Sequence, residues 1–140
     1  MVLMRPADVG DVGVCSRLTQ AHRHELGFTT RSMLLSSIAH RSLAVAVLDG
    51  EVVGLVRFNV RKRDSVTVIY ELVVGVKRRG VGSALVAWLA EYGRGLGSPR
   101  ITLRCPEGLA ANDFYAAVGF QHDAIEEGRK RRLWVWSLTL

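Results

Sequence analysis

Glu71-Leu72-Val73-Val74-Gly75-Val76-Lys77-Arg78-Arg79-Gly80-Val81-Gly82-Ser83-Ala84-Leu85 is the stretch on which the reading of this sequence turns. It closes an apolar run, Val66–Val74, that predicts a central strand covered on both faces. A basic, glycine-containing turn follows, and a helix begins at Gly80–Gly82, with Val81, Leu85, Trp88, Leu89 and Tyr92 recurring at helical spacing. The first amides of a helix have no internal acceptors, and together with the helix dipole they attract an anion such as a pyrophosphate. Gly80 and Gly82 let the backbone approach phosphate oxygens, Lys77, Arg78 and Arg79 add positive charge, and Ser83 offers a hydroxyl. A glycine pair before a helix is also a common tight turn. The dinucleotide fingerprint does not fit, for want of a third glycine, nor does the nucleotide phosphate loop, for want of Gly-Lys-Ser/Thr.

Outward from this junction the chain alternates. Val2–Met4 predicts a first strand stopped by Pro6, and Asp8 or Asp11 caps a helix that Gly27 ends. Thr29 or Thr30 caps a second helix, Ser32 to about His40. Leu43–Leu48 and Glu51–Val60 flank Asp49-Gly50, a strong hairpin signal. Beyond the central strand the helix is expected to end near Tyr92, at Gly93, Gly95 and Gly97. Ile101–Cys105 is then a strand, Leu109–Val118 a short helix closed by Gly119, and Phe120–Ile125 with Leu133–Leu138 an antiparallel pair around Glu126–Arg132. The order predicts a single α/β domain over residues 1–140, built on one mixed sheet, with a right-handed parallel crossover from Val66 to Cys105.

Composition narrows the classes. A chain of 140 residues, nearly half of them hydrophobic, buries enough surface to fold without disulfides or metals. The net charge is +6 and the pI about 10, which fits either a phosphate-bearing partner or a basic solubilising surface. No aromatic residues interleave the basic clusters, so a single-strand nucleic-acid face is not expected. Cys15 and Cys105 lack metal-ligand spacing. Nothing approaches the ~20 apolar residues of a membrane span, and the N-terminus has no signal-peptide pattern, so a cytoplasmic protein is expected.

Two motifs together resemble the GNAT superfamily of N-acetyltransferases. Lys77-Arg78-Arg79-Gly80-Val81-Gly82 is similar to that family's Arg/Gln-x-x-Gly-x-Gly/Ala, with Lys at the first position. Ala111-Asn112-Asp113-Phe114-Tyr115-Ala116-Ala117-Val118-Gly119-Phe120 is similar to its aromatic pair on a short helix followed by Gly-Phe, and Met4–Asp8 looks like its opening strand. The resemblance spans essentially the whole chain. The turn between Val74 and Gly80 is shorter than the usual form and lacks its proline, and Gly108 stands where the family often has Asn, with Asn112 nearby as a substitute.

The resemblance implies a mixed sheet of six to seven strands flanked by about four helices, and acetyl-coenzyme A as cosubstrate without a metal. The pyrophosphate would lie on amides from Arg78 to Ser83. The pantetheine arm would pair with backbone at Val73 and Val74, where the Val66–Val74 and Ile101–Cys105 strands diverge. Acetyl would pass directly to a primary amine on a small molecule, peptide or protein, bound by Ala21–Ser36 and Asp123–Arg132. Tyr115 would protonate the leaving sulfur; its alternative is an aromatic anchor for the short helix. Glu71, alone among apolar neighbours, is either the general base or an ion-pair partner of Arg57, Arg100 or Arg104. His22, His24, Glu25, Phe28 and Arg31 fall in the acceptor region. A homodimer is common in the fold. The competing expectations are a coenzyme A-binding module without turnover, and a nucleic-acid binder using Arg61–Arg63 and Arg129–Arg132.

Overall fold

Asp49 and Gly50 both adopt left-handed backbone, at φ 52° and 81°, and join two antiparallel strands through a two-residue turn. That geometry matches the twist of the flanking strands, and it fixes the register Leu48↔Glu51. The computed structural model describes residues 1–23 and 29–140. Gly27, the expected helix end, and His24, Glu25 and Phe28 lie outside the described residues.

Seven strands form one mixed sheet in the order β1-β2-β3-β4-β5-β7-β6: β1 (Val2–Pro6), β2 (Leu43–Leu48), β3 (Glu51–Val60), β4 (Thr67–Val74), β5 (Arg100–Pro106), β6 (Gln121–Glu127) and β7 (Arg132–Thr139). Four α-helices accompany it among the described residues: α1 (Val12–Ala21), α2 (Arg31–Ala39), α3 (Val81–Gly95) and α4 (Ala111–Ala117). The central strand is β4, whose Thr67–Ile69 pair in parallel with Ile101–Leu103 of β5. Proline does not stop β1 early. Pro6 pairs with Ala44 at the sheet edge, where its missing N–H costs no ladder bond.

The chain divides into two compact units, Met1–Phe58 with Glu71–Leu89, and Asn59–Tyr70 with Ala90–Leu140. In the first, Val12 and Cys15 of α1 and Leu34 of α2 pack on Leu43, Val45, Leu55 and Val73 of the sheet. Asp8 caps the turn before α1 by accepting from Gly10 N, and Thr30 caps α2 by accepting from Met33 N at 3.1 Å. In the second, Ile101, Leu103, Tyr115, Phe120 and Trp136 are buried.

Helix α3 runs past Tyr92 to Gly95, which corrects the expected end. A Cβ at Gly93 would lie 3.0 Å from Leu140 Cδ1 and 3.1 Å from Thr67 Oγ1, so packing selects this glycine inside the helix. Only Gly97, at φ 77°, ends it, with Ser98 N donating to Gly93 O at 2.8 Å.

Candidate functional site

Strand β4 ends at Val74, and Gly75 N donates to Val53 O at 2.7 Å. A Cβ on Gly75 would lie 2.8 Å from Leu18 Cδ2 and 3.0 Å from Val53 O, so glycine is favoured where the chain leaves the sheet. In the turn that follows, Arg78 (φ 62°) and Gly80 (φ 73°) are both left-handed. Alternation of left- and right-handed residues turns successive N–H groups to one side, which forms a concave anion site. The first helical bond is Ala84 N to Gly80 O at 3.0 Å. The amides of Val81, Gly82 and Ser83 therefore lack intrahelical acceptors. Lys77, Arg78 and Arg79 are exposed, and among the described residues none has an acidic partner. This junction fits a pyrophosphate.

The start of α3 is located by a residue that motif reading passed over. A Cβ at Gly54 of β3 would lie 2.8 Å from Val81 Cγ1 and 2.9 Å from Val73 O. Gly54 thus lets the helix start settle directly on the sheet. The available signal was a glycine inside an apolar strand, which marks close approach. Val73 is buried in the core, and Val74 is half-buried.

Glu71 is 4% exposed. Its Oε1 accepts from Arg57 Nε and its Oε2 accepts from Thr29 Oγ1, each at 2.5 Å. The guanidinium offsets the cost of burying the carboxylate, so the ion pair with Arg57 is real. Arg104, another candidate partner, instead binds Glu126 at 2.7 Å. Thr29, read from sequence only as a possible helix cap within the Ala21–Ser36 acceptor region, lines a groove of about 320 Å³ at the α1–α2 junction, with Arg23, Thr30 and Arg31.

Tyr115 lies on α4 within an aromatic cluster, 5.3 Å from Phe114, 5.4 Å from Phe120 and 6.5 Å from Trp136 between ring centroids. Burial, and to a smaller degree the Cys105 thiol, pushes its phenol far above the ordinary tyrosine range. Among the described residues its hydroxyl has no hydrogen-bond partner. Asn112 differs. Its Nδ2 donates to Pro106 O (3.0 Å) and Leu109 O (3.1 Å), and its Oδ1 accepts from Trp136 Nε1 (2.9 Å). Its amide fastens α4 to the end of β5 and to β7.

His22 is a helix-end residue whose Nδ1 lies 3.0 Å from Leu18 O. The basic turns are partly neutralised: Arg61 binds Asp64 at 2.9 Å, and Arg132 lies 3.8 Å from Glu107. Among the described residues there is no cluster of metal ligands, and no helix is long and apolar enough to cross a membrane.

Residues 15–120 match the profile of the Acetyltransferase (GNAT) family. No curated protein matches. Among solved structures, Ard1 from Thermoplasma volcanium superposes with a TM-score of 0.87 at 21% identity, covering 99% of this chain and 97% of its own. PaiA N-acetyltransferase from Thermoplasma acidophilum, in complex with coenzyme A, gives 0.85 at 11% identity over 100% and 99%. N-acetylglutamate synthase from Neisseria gonorrhoeae, complexed with coenzyme A and N-acetyl-glutamate, gives 0.83 at 21% identity over 100% of this chain, which spans only 36% of that enzyme. At such identities the likeness is one of fold.

Proposed function

This chain belongs to the GNAT family of acetyltransferases, and from that premise we propose that it moves acetyl from acetyl-coenzyme A directly to a primary amine. The observation that carries the reading is the array of open donors from Lys77 to Ser83 at the end of the central strand. When bound, acetyl-coenzyme A supplies an activated acetyl group as a thioester and leaves as a thiol. The amides of Val81, Gly82 and Ser83 hold its pyrophosphate, with Lys77, Arg78 and Arg79 around them. Val73 and Val74 offer backbone groups to the pantetheine arm. Asn112 acts at one remove, by fixing α4.

Tyr115 holds a proton throughout the physiological range, because burial disfavours its phenolate. It would donate a hydrogen bond to the leaving sulfur, whose thiolate would then take its proton from solvent. Glu71 receives the amine proton through Thr29: the amine N–H passes its proton to Thr29 Oγ1 as the Thr29 hydroxyl passes its own to Glu71 Oε2. The short Thr29–Glu71 bond supports this relay.

The test is release of coenzyme A thiol across a panel of primary amines, with Tyr115→Phe in parallel. Turnover by the wild type, lowered about tenfold or more by Tyr115→Phe while coenzyme A affinity holds, is the expected result. Equal turnover in both proteins removes Tyr115 from the chemistry. A folded protein that binds coenzyme A yet acetylates nothing is the binding module instead.

A further inference from the structure

The α1–α2 groove carries two guanidinium groups that have no counter-charge among the described residues. Arg23, two residues past the end of α1, and Arg31, the first residue of α2, both line it. Both are exposed, and among the described residues neither has an acidic partner, although this chain pairs many of its other arginines. Thr30 Oγ1 accepts from Met33 N, which leaves its O–H free to donate into the same space. At the Thr29 wall the polarity reverses. The Thr29 hydroxyl donates to Glu71, so its lone pairs face whatever enters, with a carboxylate behind them. The groove is thus cationic on one wall and proton-accepting on another.

A plain amine fits that arrangement poorly. As an ammonium ion it finds a hydrogen-bond acceptor in Thr29 Oγ1 but little net negative charge, because Arg57 compensates Glu71, and it is repelled by Arg23 and Arg31. A molecule with an amine and a carboxylate close together satisfies both walls. A guanidinium binds a carboxylate through paired N–H donors, which also fixes its orientation. A volume of about 320 Å³ has room for a free amino acid.

We infer that the acceptor is a small amine bearing a carboxylate, of the free amino-acid class, with its carboxylate on Arg23 and Arg31 and its amine at Thr29. This rests on the acetyltransferase reading and names the substrate class of that same groove.

The experiment compares free L-amino acids with their C-terminal amides, which keep the amine and side chain and also imitate a peptide N-terminus. Binding to the coenzyme A-saturated protein is titrated directly, and acetylation is followed in the same panel. At least one free acid is expected to bind and react at least tenfold better than its amide. Arg23→Gln and Arg31→Gln are expected to raise the KM or Kd for that acid roughly tenfold to a hundredfold, and to leave coenzyme A affinity unchanged. Both side chains are exposed, so these variants keep the fold. Arginine-dependent binding of the acid without acetylation rejects the transferase reading and keeps the carboxylate site. Amides that match or surpass the acids, variants that leave acid binding unchanged, or no binding by any acid overturn the inference.

Discussion

The Lys77–Ser83 turn and the Glu71 carboxylate are close in sequence and opposite in construction. In the turn, three helix-start amides and three basic side chains face outward with no partner among the described residues. Around Glu71 both carboxylate oxygens are engaged, one by Arg57 and one by Thr29. The first region is held open by glycines and left-handed residues, whereas the second is closed by a buried ion pair. The difference teaches where binding and folding each draw on polar groups. Open donors on a rigid helix start are available to a ligand at no cost to the fold. A buried carboxylate must first be stabilised by the protein, so any role in chemistry passes through the groups that hold it.

The sharpest way to break this contrast is to remove each region in turn. Glu71→Ala leaves Arg57 facing a buried gap and is expected to cost about 3–5 kcal/mol of stability, read by urea unfolding. Glu71→Gln keeps the shape and separates the roles. Near-wild-type turnover in folded Glu71→Gln assigns Glu71 to structure alone, and lost turnover with intact coenzyme A binding assigns it to proton transfer.

Gly82→Asp probes the open region. It sets a carboxylate among the helix-start amides and is expected to weaken coenzyme A binding at least tenfold, by titration, with little change in unfolding midpoint. Unchanged affinity in the folded variant would reject the phosphate assignment.

Much of this contrast was legible in sequence, because its signals are local. The basic glycine junction, the Asp49-Gly50 hairpin and the Thr30 cap depend on neighbours within a few positions, and each stands where the pattern placed it. What escaped the sequence was tertiary. Arg57 was one of three arginines offered as a partner for Glu71, and only the pairing of distant segments selects it. Thr29 lies 42 residues from Glu71, so no spacing rule joins them. The glycines at 93 and 95 read as helix stops, because the demand for space at Gly93 comes from Leu140 and Thr67. Asn112 reads in sequence only as a substitute for the family's Asn, and its bonds to Trp136, Pro106 and Leu109 depend on tertiary packing that no spacing reveals.

The smallest expected effect concerns the core beneath both regions. Burial pushes the Cys15 thiol up to about 11, with a smaller upward contribution from Asp11 and a downward one from Arg5. A group whose pKa rises on folding gives stability that is complete below its unfolded pKa and disappears as pH climbs through the folded value. Unfolding midpoints should therefore decline from about pH 9 toward about pH 11. Cys15→Ala should flatten that decline, and an unchanged slope would show that other groups control it.

The central claim is that the Lys77–Ser83 turn holds the pyrophosphate of the donor. Calorimetric titration of the wild-type protein with acetyl-coenzyme A, beside acetylated phosphopantetheine that lacks the pyrophosphate bridge, tests it most directly. Saturable binding of acetyl-coenzyme A with at least a tenfold loss for the truncated donor is the predicted result. Equal affinity for the two, or no binding by the folded protein, would contradict it.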